Sequence, residues 1–161
     1  MTSCIHALVR AGTGLALWFA LALPATAADL CALLAKHGPT VFGTPLQAAP
    51  QCDALGPSRS AAANNASGSD RLEIAVVEMA GIAQQAIDQE RGDTREDRKV
   101  SDEPGLGRNA VLVRTDKGRV AVFHIDDGKR LVRVGLRARD GLNDAYVERA
   151  RAFAKIVKAA Q

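Results

Sequence analysis

His124 and Asp126 are two residues apart at the end of a strand-like run, so a regular strand places both side chains on one side. An imidazole beside a carboxylate is metal-ligand chemistry. A zinc centre, however, needs three or four convergent ligands, and the obvious additions, His37 and Asp127, lack ligand spacing. Turn chemistry accounts for Asp126-Asp127-Gly128, so no metal and no cofactor is expected. Gly105-Leu106-Gly107 resembles part of a phosphate loop, but that chemistry needs a strand before it and a helix after it. Here a strand follows, and the reading is a tight loop.

Arg114, Arg119, Arg130, Arg133, Arg137 and Arg139 enrich one stretch in guanidinium groups, which bind carboxylate or phosphate in a two-pronged geometry. Arg133 and Arg137 are four apart on one strand and therefore share a face. With Val120 and Val122 they form the candidate binding surface; the competing reading is a set of solvated charges guarding a sheet edge. Nucleophilic catalysis has no support. The serines cluster between residues 58 and 69, and no G-x-S-x-G, H-E-x-x-H or S-x-x-K is present. Glu73 and Glu78, five apart, fall on opposite faces of a regular strand.

These groups sit in a chain that begins like an exported protein. Arg10 precedes the apolar run Leu15–Leu23, then Pro24 and the small residues Ala25-Thr26-Ala27-Ala28. A charged end, a short apolar core and an A-x-A-like site in that order read as a signal peptide over 1–28, cut near Ala27 or Ala28. The core is too short to span a bilayer, which takes about 20 apolar residues. The expected location is periplasmic or secreted. Cys31 and Cys52 then remain as an even pair in an oxidising compartment, and a disulfide is expected. Asp29-Leu30 before Cys31 is not a lipobox, and there is no C-x-x-C redox motif.

The sequence carries 21 Lys and Arg against 18 Asp and Glu, with both signs interleaved. A nucleic-acid partner would favour a one-signed basic stripe and aromatic platforms. After the leader the aromatics are Phe42, Phe123, Tyr146 and Phe153, so nucleic acid is not expected. No membrane span is expected after the leader either.

Residues 29–161 are expected to form one domain. The spacing predicts a helix over 29–38 stopped by Gly38 and Pro39, a strand around Cys52, and a flexible loop around 56–70. A strand follows over 72–78, then a helix over 80–91. Charged and Gly/Pro-rich chain occupies 93–109. Three strands, 110–114, 119–125 and 131–137, read as a β-meander with Gly118 and Gly128 in the turns. A helix over 143–160 closes the chain, with Tyr146, Ala150, Phe153, Val157 and Ala160 in one apolar stripe. The fold class is α+β: an antiparallel sheet of about four to five strands with helices mainly on one face. A two-residue turn at Gly128 would pair Phe123 with Val132, and a three-residue turn would pair Phe123 with Leu131. In either register one face carries several of Val120, Val122, Val132 and Val134 and the other carries Ala121, Phe123 and Ile125, so both faces hold apolar groups and the second is expected to be covered. The disulfide-tied N-terminal segment, or another molecule, is the expected cover.

The layout resembles small exported cell-envelope proteins grouped as domains of unknown function, common among actinobacterial lipoproteins. The shared features are Cys-Ala-Leu-Leu at 31–34, the second cysteine Cys52, Pro-Gly-Leu-Gly at 104–107, the meander and the last helix. This chain departs from them in lacking a lipobox and in carrying Asp53-Ala54 after Cys52, where an aromatic is common. The resemblance implies a similar fold and supplies no catalytic residue. The functional expectation is a non-enzymatic exported binding module with a protein or envelope component as partner. The alternative is an inhibitor or immunity protein against an exported toxin or hydrolase.

Overall fold

The computed structural model describes residues 27–161. The leader reading up to residue 26 lies outside the described residues, and the expected cleavage point falls in the first turn of the first helix. Helix α1 spans Ala27–Phe42 and is followed by strands β1 (Gln51–Leu55), β2 (Ser58–Asn64) and β3 (Arg71–Val77). Helix α2 (Ile82–Gly92) leads to β4 (Lys99–Asp102), β5 (Ala110–Thr115), β6 (Val120–Asp126) and β7 (Leu131–Arg137). Helix α3 (Asp144–Ala159) ends the fold. The strands form one seven-stranded sheet in the order β1-β2-β3-β7-β6-β5-β4, with every pair antiparallel. Two meanders are thus joined where β3 meets β7.

The sheet is larger than the four to five strands expected, because local pattern predicts a flexible loop over β2 and no strand over β4. Ser58–Asn64 has no β-branched residue, and local propensity argues against a strand there. Tertiary pairing on both sides with β1 and β3 overrides that preference. Ala61 and Ala63 point into the core, and their small size lets α1 lie close over β2. Residues 56–70 are therefore a tight turn, a strand and a second turn. In that second turn, Asn65 Oδ1 accepts from the Asp70 backbone N–H at 3.2 Å and from the Ser67 hydroxyl at 3.1 Å.

Helix α1 also runs past its expected stop. Pro39 lies inside it, although a proline lacks the N–H that would bond back one turn and costs about 3 kcal/mol in a helix interior. Burial of Val41 and Phe42 offsets that cost. The stop is Gly43, at φ 76°, whose N–H donates to the Pro39 carbonyl at 2.8 Å. Arg149 Nε on α3 donates to the Val41 carbonyl at 2.8 Å and fixes the same end.

The main core fills the space between one sheet face and α1 with α3. Leu72, Ile74, Val76, Ala121, Phe123, Ile125, Val132, Val134 and Leu136 come from the sheet. Leu30 and Leu34 come from α1, and Val147, Ala150, Phe153 and Val157 from α3. Asn143 caps α3, its side chain accepting from the Tyr146 N–H at 2.8 Å. The stripe expected on α3 is buried as far as Val157, while Ala160 is exposed. Cys31 on α1 and Cys52 on β1 form a disulfide, with Cα atoms 6.0 Å apart. No helix among the described residues is long and apolar enough to cross a membrane.

Neither expected hairpin register occurs. Asp126 pairs with Leu131, leaving a four-residue loop, and Phe123 pairs with Val134. Asp127 closes this loop by accepting from the backbone N–H groups of Lys129 and Arg130, at 3.0 and 2.9 Å. Period-two alternation then moves Val132 and Val134 to the core face beside Phe123, and away from Val120 and Val122.

Candidate functional site

The second sheet face is divided in two. Helix α2 covers the end formed by β5 and β6. There Ile87 packs on Val111 and Val113, with Val100 at the margin. Ala83 is buried on the same helix, one turn before Ile87. Polar contacts pin the helix from outside: Arg91 donates to Asp102 at 2.7 Å, and Asn109 donates to Gln84 at 2.8 Å. The expected cover, the disulfide-tied segment, is on the other side of the sheet with α3. The reason is geometric: Cys52 shares a face with Ala61 and Ile74, which point into the main core.

Beneath α2 lies His124, 4 % exposed. Its Nε2 is 3.5 Å from Glu90 Oε1. Arg98 pairs with Glu90 and is 3.2 Å from Asp93. Burial, then the nearby charges of Arg133 and Arg98, push the imidazole pKa down to about 4. Asp126 is on the same face, but its carboxylate accepts from the Gly128 N–H at 2.7 Å and from Asn109 at 3.3 Å. Asp127 binds Arg130, and His37 packs beside Phe153 across the sheet, so the four residues weighed as metal ligands do not converge. Among the described residues no group of three or more His, Cys, Asp or Glu is arranged to hold a metal ion. Gly105 and Leu106 lie in a short 3-10 turn, Pro104–Leu106, that Gly107 caps; it buries Leu106, whose carbonyl accepts from Lys158 Nζ at 2.7 Å.

The rest of the second face is open. Arg71, Glu73, Val120, Val122, Gly135 and Arg137, with the backbone of Leu136, line a groove of about 310 Å³ across β3, β7 and β6. Three of the four residues singled out from sequence, Val120, Val122 and Arg137, lie in it. The fourth, Arg133, is on the same strand face two residues beyond Gly135, opposite His124 and Ala75, and is exposed. Sequence reasoning missed Arg71, Glu73 and Gly135. The pairing of β3 with β7, which local pattern does not reveal, brings the first two in. Gly135 carried a signal, since a glycine inside an apolar strand often marks a close approach by another molecule.

The arginines divide by partner. Arg114 pairs with Asp144, Arg119 with Asp116, and Arg130 with Asp127. Arg71 pairs with Glu73 beside the groove. Arg133 and Arg137 form no ion pair or hydrogen bond among the described residues. Arg137 moreover faces Arg71 directly across the strand pair. Like charges so placed repel. Arg137→Ala should therefore raise stability slightly, by about 0.5 kcal/mol, in urea denaturation. A loss of stability would instead show a structural role for that guanidinium.

Two other depressions are more open. One, at Glu78–Gly81 and Gly128–Arg130, has its glutamate already held by Arg59 and Arg130. The other lies between α1 and the loop ending at Pro50 and is lined mainly by small apolar residues. No protein-family model, curated protein or solved structure matches this chain.

Proposed function

We propose that this is a non-enzymatic, exported binding module whose open sheet face is its contact surface. The observation that carries this reading is the division of the second face. Where α2 lies, apolar side chains are covered. Where it does not, Val120 and Val122 remain part-exposed beside Arg133 and Arg137, which have no ion-pair or hydrogen-bond partner among the described residues. Most charged side chains around them are neutralised by neighbours, and an unpaired guanidinium beside an apolar floor is a common ingredient of protein interfaces. The Cys31–Cys52 link and the leader-like start support function outside the cytoplasm.

Site-specific photocrosslinking in intact producing cells tests this. A photoreactive residue at Val122 should yield one discrete adduct. The same residue at Glu148, exposed on α3 across the sheet, should yield none. Equal labelling from both positions, or no adduct from position 122, would overturn the reading. An adduct with an exported hydrolase or toxin would identify the module as an inhibitor or immunity protein.

A further inference from the structure

We propose that the open face takes an extended acidic protein segment laid along β7. Two carboxylates of that segment, four residues apart, would meet Arg133 and Arg137, and the apolar side chain midway between them would enter the notch at Gly135. This deepens the binding-module reading and rests on it.

Gly135 is the first ground. A glycine in a strand interior costs stability and is kept where something requires it. Its φ is not in the left-handed region, so the backbone does not require it. Nor does packing within the chain. A Cβ at that position would lie 3.9 Å from Glu73 Cβ and 4.0 Å from Val122 Cγ2, ordinary contact distances. Among the described residues no atom stands closer than these to the space above the glycine.

Charge is the second ground. Arg133 and Arg137 flank the notch two residues away on each side, their Cα atoms about 13 Å apart at strand rise. Among the described residues neither has an anion paired with it, and Arg137 faces a second arginine. The one carboxylate in the groove, Glu73, is engaged by Arg71. The patch therefore carries two uncompensated positive charges at a fixed separation.

Spacing chooses the ligand. An extended segment has the same rise as β7, so its residues i, i+2 and i+4 project to one side in register with Arg137, Gly135 and Arg133. A helix brings residues i and i+4 within about 6 Å, too close to reach both arginines directly. Guanidinium and carboxylate match in a two-pronged geometry, which favours Asp or Glu at both ends.

The test is fluorescence anisotropy with the full chain and a labelled peptide in which two glutamates flank Thr-Leu-Thr. Binding should be salt-sensitive. Arg133→Ala with Arg137→Ala should weaken it at least about tenfold, as two lost charge-assisted contacts require. Gly135→Leu should weaken it comparably by filling the notch while leaving every charge in place. Circular dichroism confirms that each variant folds. A peptide with lysines in place of the glutamates, or with one threonine deleted so that the glutamates are three apart, should bind poorly. No binding by the wild type at about 1 mM peptide would overturn the proposal. So would binding unchanged by Gly135→Leu, or arginine-dependent capture by phosphatidylglycerol vesicles without peptide binding. A surviving adduct from position 122 beside any of these results would leave the binding module intact and remove only its acidic ligand.

Discussion

Between pH 6.5 and about 4 the fold should lose about 3 kcal/mol of stability through His124 alone. The imidazole is buried under α2 and is held neutral down to about pH 4, whereas in the unfolded chain it takes up a proton near pH 6.5. In that window the unfolded state binds more protons than the native one, so stability falls as pH falls; below about 4 this contribution is fully lost. The surroundings explain the direction. Arg133 on β7 and Arg98 after α2 both repel a proton on His124. Glu90 on α2, the nearest carboxylate, is engaged by Arg98, which Asp93 also holds. Urea denaturation across this range should show a steep acid decline for the wild type and a shallower one for His124→Gln, which cannot titrate. Parallel curves would place the acid sensitivity elsewhere. Because His124 lies beneath α2, hydrogen exchange should show α2 amides losing protection first as the pH drops.

Replacing Cys31 and Cys52 together by serine should cost about 3 kcal/mol, the chain-entropy value for a closed loop of this length. The loss should concentrate at one edge of the sheet. All five residues of β1 are exposed, and its partners are β2 on one side and the disulfide to α1. β1 is a short edge strand with no buried side chain, so without the link its amides should exchange fastest. A reductant should shift the wild-type denaturation midpoint to that of the double variant and leave the variant unmoved. A midpoint unchanged by both treatments would show that α1 and β1 hold their places by packing alone.

The opposed effects expected at Arg137 bear on the functional reading. A surface residue whose removal stabilises the fold yet weakens a ligand is retained at a cost to stability. A structural salt-bridge partner would not behave so, and the six arginines weighed from sequence differ on this point. Arg114, Arg119 and Arg130 have carboxylates beside them in the fold, whereas Arg133, Arg137 and Arg139 form no ion pair among the described residues.

Elements whose periodicity is strong and local were legible from the residues alone. Helix α3 has a capping asparagine and a continuous apolar stripe, so its face and its start at Asn143 were legible. Helix α2, β3 and the three meander strands carry the same kind of signal, and two cysteines after a leader-like start were enough to expect their pairing. That Arg133 and Arg137 share a face follows from strand geometry alone.

The remaining features depend on contacts between distant segments, because the relevant energies are non-local. Ser58–Asn64 is a strand because β1 and β3 flank it, and Lys99–Asp102 because β5 offers its edge. Helix α1 continues through Pro39 because Val41 and Phe42 gain a core beyond it. The register of β6 with β7 turned on hydrogen bonds inside the 127–130 loop, and it set Val132 and Val134 on the core face with Phe123. The groove exists because β3 pairs with β7, placing Arg71 and Glu73 beside Gly135 and Arg137, and because α2 stops short of them. Strand order and helix placement are set by burial across distant segments, and no window along the chain contains that information.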